Sequence, residues 1–217
     1  MFCQVYFKYI SVKRQIFLYE TKFSYYFEGK IVFKGMKMRL GIYFLVAGIY
    51  LGTYSYACAD ESIYEVVNNE DTATFSDMVV LGYDIDEPDS DGFTPLMIAS
   101  ALGKTHFVRF LVDNGADVNR CSYNGVTSLH RAAQAGNNDV IDILLDAGAN
   151  INMPDFDGKT PLVTAVEAGR RFTVELLVAR RADVNTRTAN NETVLGIAEK
   201  KRFKEIADFL RLKGARK

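Results

Sequence analysis

The chain has 217 residues, with two histidines, His106 and His130, and three cysteines, Cys3, Cys58 and Cys121. A Cys–His nucleophile would also need an orienting group and an oxyanion site. Cys121 lies nine residues before His130, and nothing around them supplies either part. Cys121 reads instead as a lone surface thiol, able to cross-link two chains in an oxidising compartment. The cysteine spacing makes neither a zinc site nor a disulfide framework. Glu87-Pro88-Asp89-Ser90-Asp91-Gly92 imitates the opening of a calcium loop, but its twelfth position is Ile98 where a Glu is required. Asp89 recurs as Asp155, which favours a turn role. The sequence contains no Gly-rich phosphate loop, HExxH or GxSxG. The expectation is a protein without catalytic residues, cofactor, metal or small-molecule substrate. With 26 Lys+Arg against 27 Asp+Glu, general nucleic-acid binding is not expected either.

The near-neutral average hides a seam. Residues 1–59 hold 16 of the 27 aromatics, with 8 bases and 2 acids; residues 60–217 hold 18 bases and 25 acids, net −7. Met36-Lys37-Met38-Arg39 precedes an uncharged run from Leu40, which ends in Ala57-Cys58-Ala59 before Asp60. Basic start, apolar core and small-x-small end are the parts of a secretory signal peptide, here residues 36–59, cut between Ala59 and Asp60. An uncleaved anchor over Leu40–Ala59 and lipidation at Cys58 are the alternatives; Ser55 stands where lipidation prefers an aliphatic residue. Residues 1–35 show no apolar period and read as a mis-assigned upstream extension, not folded, with the start at Met36 or Met38. The expected location is the periplasm of a bacterium or outside the cell. Membrane contact is expected only through an uncleaved signal segment.

The elements that must position any site come from a repeat. Thr94, Thr127, Thr160 and Thr193 are each 33 residues apart, as are Gly115 and Gly148, and Asn119, Asn152 and Asn185. Each Thr stands where a helix needs an N-cap. Pro95 and Pro161 follow at the first helical position, where the missing N–H costs nothing. Leu96/Ala99, Leu129/Ala132 and Leu162/Ala165 face inward, and Gly103, Gly136 and Gly169 end the first helix. Apolar teeth of a second helix follow, then Gly115 and Gly148 at a left-handed position, where Arg181 is the exception.

This pattern resembles the ankyrin repeat, whose period is 33 residues and whose signature is T-P-L-H-x-A. The resemblance implies an all-α solenoid of helix-turn-helix pairs joined by β-hairpin-like turns. The expected units are a capping repeat at 60–90 with a polar outer face, full repeats at 91–123, 124–156 and 157–189, and a C-terminal cap at 190–217. Of the family's histidine positions only His130 is kept, as a hydrogen-bonding residue between turns; Met97, Val163 and Gly196 replace the others.

The resemblance further implies that turn tips and first-helix faces line a concave side that grips a protein partner. By position these residues are Ser90, Asp91 and Phe93; Tyr123, Asn124 and Val126; Phe156, Asp157 and Lys159; with Leu102, Gln134 and Glu167 from the helices. Tyr123 and Phe156 are equivalent, and either anchor the partner or stack on each other to stiffen the turns. Residues 60–119 carry 13 acids and 2 bases, and residues 120–217 carry 12 acids and 16 bases, a dipole able to orient an encounter. The expected protein is a monomer.

Overall fold

Each helix of this protein is too short to stand alone in water, so the fold is a question of what each one leans on. The computed structural model describes residues 25–27, 30–32, 59–80 and 82–216. The chain divides into two units, Met1–Thr53 and Tyr54–Lys217. In the first, β1 (Tyr25–Phe27) and β2 (Lys30–Val32) pair antiparallel. These six residues lie in the segment expected to be unfolded. A lone pair of such strands is marginal in water. Of the expected signal segment, 36–59, residues 36–58 lie outside the described residues.

In the second unit helices follow in pairs: α1 (Ala59–Asn68) and α2 (Thr72–Val80); α3 (Pro95–Leu102) and α4 (Thr105–Asp113); α5 (Ser128–Ala135) and α6 (Asn138–Asp146); α7 (Pro161–Glu167) and α8 (Arg171–Ala179); α9 (Val194–Lys200) and α10 (Lys204–Leu212). The Thr caps are in place. The hydroxyls of Thr94, Thr127, Thr160 and Thr193 accept from the N–H of the third residue on, at 3.3, 3.4, 3.5 and 3.0 Å. Each satisfies a donor the first turn leaves open.

The core repeats with the sequence. Leu111, Leu144, Leu177 and Leu210 are buried on the second helices, and Ala99, Ala132, Ala165 and Ala198 on the first. The small alanines let α3, α5, α7 and α9 lie closely side by side, while the second helices touch each other less. The stack therefore bends toward its first-helix side. At the N-terminal end, Phe75 meets the edges of Tyr83, Phe107 and Phe110 at 6.0, 5.4 and 6.1 Å. These contacts pin the capping repeat to the first full one.

Polar side chains then fix the spacing between repeats. The Asp86 carboxylate accepts from the N–H of Asp117 at 3.0 Å. One, two and three repeats later, Asn119 Oδ1 accepts from Asn150, Asn152 Oδ1 from Asp183, and Asn185 Oδ1 from Arg216, at 2.8, 2.9 and 2.9 Å. At the other end of the helix pair, Asn137 Nδ2 donates to the carbonyls of Ser100 and Ala101 (2.8 and 3.1 Å), and Arg170 Nε donates to that of Gln134 (3.0 Å). These are open carbonyls at a helix end, so the second and third full repeats each cap the first helix of the one before.

The outer face of the N-terminal cap is less polar than expected, with Tyr64 51% and Val80 74% exposed. Tyr64 occupies the position of the buried Met97, His130 and Val163; the capping repeat has lost the Thr-Pro-Leu start from which the inner repeats build their turn. Arg181 does adopt the left-handed backbone, with φ +71° against +89° at Gly115 and Gly148. Glu70, Asn191 and Arg202 do the same at other positions where inner repeats have Gly. Arg181 is exposed and makes no side-chain hydrogen bond or ion pair among the described residues. Arg181→Gly is therefore expected to stabilise the domain by about 1 kcal/mol, read as a rise in the thermal midpoint. A lower midpoint would show that the arginine stem contributes more than its strained backbone costs.

Candidate partner-binding groove

Each turn tip is braced by one short polar side chain. Asp89 Oδ1 accepts from the N–H groups of Asp91 and Phe93 at 3.0 and 2.7 Å. Asp155 Oδ1 does the same for Asp157 and Lys159 at 3.0 and 2.8 Å. Ser122 Oγ and Thr188 Oγ1 hold the equivalent N–H groups of Val126 and Glu192, both at 3.2 Å. Asp89 is thus a turn brace, as its recurrence implied, and Ile98 is buried. Among the described residues no cluster of His, Cys, Asp or Glu could hold a metal ion. Backbone bridges between Cys121 and Thr127, and between Arg187 and Thr193, give two tips their hairpin character.

Neighbouring tips lock together. Phe156 N–H donates to the Asn124 carbonyl at 3.1 Å, and Ala189 N–H to that of Asp157 at 2.7 Å. The backbones come so close that a Cβ on Gly92 would sit 2.7 Å from Tyr123 N, and one on Gly125 2.8 Å from Phe156 N and its ring. Both glycines have positive φ, +83° and +78°, so side-chain volume and backbone shape both require glycine there. Each aromatic ring thus rests on the glycine of the preceding tip, not on the other ring. Tyr123 is still 65% and Phe156 74% exposed. They stiffen the turns and present apolar area together.

His130 explains how a tip is tied to its neighbour's helix. It is buried, and its Nδ1 accepts from Thr127, whose N–H lies at 3.2 Å and hydroxyl at 2.8 Å. Its Nε2 donates to the Lys159 carbonyl of the next repeat at 2.9 Å. Both ring nitrogens are thereby committed in the neutral tautomer, which leaves none to activate Cys121. Cys121 is a free, exposed thiol. Burial holds the His130 pKa below the usual histidine value, only partly offset by the Lys159 carbonyl and the Asp155 charge.

The inner face changes in character along the stack. Phe93 and Val126, in the first two full repeats, are half-buried and apolar. At the same position in the next two stand Lys159 and Glu192. Lys159 Nζ pairs with Glu167 at 3.0 Å, and Lys200 Nζ with Glu192 at 2.7 Å. Since Glu167 and Lys200 are themselves equivalent, the ion pair is reversed from one repeat to the next, and the four charges alternate in a square. The hydrogen bond to Glu167 raises the Lys159 pKa, and that to Lys200 lowers the Glu192 pKa, with a smaller lowering from Lys159. The positions expected to bind a partner lie along this surface. Ser90, Asp91, Leu102, Tyr123, Asn124, Gln134, Phe156 and Asp157 are exposed; Phe93, Val126, Lys159 and Glu167 are half-buried. Sequence reading passed over Arg131, whose guanidinium lies 4.7 Å from the Phe93 ring centroid. Its signal was a charge at a position held by Ile98, Thr164 and Ile197 in the other repeats.

The family models agree with this geometry. The one described as "Ankyrin repeats (3 copies)" matches residues 63–155, and "Ankyrin repeat" matches residues 157–189. This chain belongs to the ankyrin-repeat family. No curated protein matches it as a relative. The second match coincides with the expected third full repeat. An ankyrin stack is a protein–protein interaction module, typically without catalysis. No helix among the described residues is long and apolar enough to cross a membrane.

The histidine clasp is expected to make the ankyrin stack acid-sensitive. A lowered folded-state pKa gives stability that is full above the unfolded value near 6.5 and is lost as pH falls toward the folded one. Between pH 7.5 and 5.5 the domain should lose stability, by no more than about 1.4 kcal/mol per pH unit below the unfolded value. Urea midpoints at the two pH values measure it, and His130→Gln should flatten the difference. An equal loss in the variant would place the sensitivity elsewhere.

Proposed function

We propose that this ankyrin-repeat chain is an exported bacterial protein that holds, chaperones or inhibits a partner protein in the periplasm, without chemistry of its own. In this reading residues 36–59 are a signal peptide removed between Ala59 and Asp60, and the mature protein is a monomer. The composition seam at residue 60 supports export. The partner lies along the first-helix side, across the tips from Ser90 to Lys159 and the helix positions Leu102, Gln134 and Glu167.

The observation that carries the reading is the exposure of Tyr123 and Phe156. Both are large, held rigid by a glycine beneath them, and set one repeat apart on adjacent tips. A rigid aromatic loses little entropy on binding and makes a good anchor.

A photo-crosslinking amino acid placed at Gln134, in the full chain expressed with its own leader, tests this. The expected result is a discrete adduct in the periplasmic fraction, whose chain begins at Asp60. A crosslinker at Asp146, on the second-helix side, should give none. Adducts only from position 146, or a chain retaining residues 36–59, would contradict the groove or the export respectively.

A further inference from the structure

Arg131 is not explained by the stack. Its equivalents show what the architecture requires there: Ile98 and Ile197 are buried apolar residues, and Thr164 donates its hydroxyl to its own helix at 3.2 Å. An aliphatic side chain would serve the packing. Instead a half-buried arginine lies over Phe93, and its Nε is buried without any hydrogen-bond partner. Among the described residues no carboxylate pairs with it. Arg171, Arg180 and Arg211 each meet two carboxylates, and Lys159 and Lys200 one each, whereas Arg131 is half-buried and meets none, as does the exposed Arg181.

We propose that Arg131 is the specificity anchor of the groove, and that it receives the carboxylate of an Asp or Glu side chain in an extended segment of the partner protein. The inference rests on the groove reading above and deepens it. The buried Nε is beyond a partner's reach, but the two terminal nitrogens, which make no hydrogen bond among the described residues, can donate end-on to a planar, two-oxygen acceptor. The Phe93 ring fixes the plane of the fork on one side. Phe93 beneath it is apolar, so the matching segment carries its acid next to apolar residues. A strongly acidic segment is disfavoured, since the first part of the stack is itself rich in acids.

Random linear peptides displayed on phage, selected on the wild-type full chain, provide the probe. The selected peptides should share one Asp or Glu flanked by apolar residues. Changing that acid to its amide in a synthetic peptide should weaken binding by about tenfold or more, as should Arg131→Met. The two changes together should cost little beyond either alone. Arg131→Lys should recover only part of the binding, since it keeps charge without the fork. The amide change is made on the peptide, so it decides the matter even if Arg131→Met proves unstable. Selected peptides without a shared acid, or a harmless amide change, would overturn the inference and leave the groove. Failure of the wild type to enrich any peptide would overturn the groove reading as well.

Discussion

Apolar side chains of a helix pair seven to ten residues long per helix have nowhere to go within that pair. They are removed from water only when an identical surface arrives from the next repeat, and everything else in this protein follows from that dependence. The alanines at 99, 132, 165 and 198 let the first helices approach, and the leucines at 111, 144, 177 and 210 fill the space behind them. Burial alone is non-directional and would tolerate repeats that slide. The Asx ladder and the caps donated by Asn137 and Arg170 remove that freedom, because each is satisfied only at a spacing of one period.

Rigidity of the inner surface is the functional result. The tips are held by Asp89, Ser122, Asp155 and Thr188 from within, and by backbone bonds and aromatic–glycine contacts from outside. A surface already in place has little ordering entropy to lose when a partner arrives. The same logic separates the two ends of the groove. Toward the C-terminus, Lys159, Glu167, Glu192 and Lys200 satisfy one another, so that part offers little unmet demand. Around Phe93, Arg131 and Tyr123 the surface retains apolar area and a guanidinium that no carboxylate among the described residues neutralises.

Much of this was legible in the sequence because repetition makes one residue testify for several. Four threonines at one spacing identify caps, and the glycine missing at Arg181 is visible only against its neighbours. Contacts that cross from one repeat to the next were harder to read. Asn119, Asn152 and Asn185 announce a turn, but whether their side chains bond their own turn or the following one depends on how far apart the repeats sit. Asn137 and Arg170 share no chemistry beyond a donor, so their common capping role leaves no pattern. The aromatic tips offered two readings, and the geometry supplied a third, in which each ring uses the preceding glycine as its floor. The exposed Tyr64 and Val80 of the N-terminal cap were missed because acids dominate its composition.

The central claim is that stability resides in junctions of fixed period. Deleting residues 124–156 removes one period and joins Tyr123 to Asp157, so that Asn119 can meet Asp183 as it now meets Asn150. Urea unfolding followed by circular dichroism measures the outcome. The account predicts a helical protein that still unfolds in one transition, with a lower midpoint and a shallower slope. A deletion of 124–156 that leaves the midpoint unchanged, or that abolishes folding altogether, would contradict it.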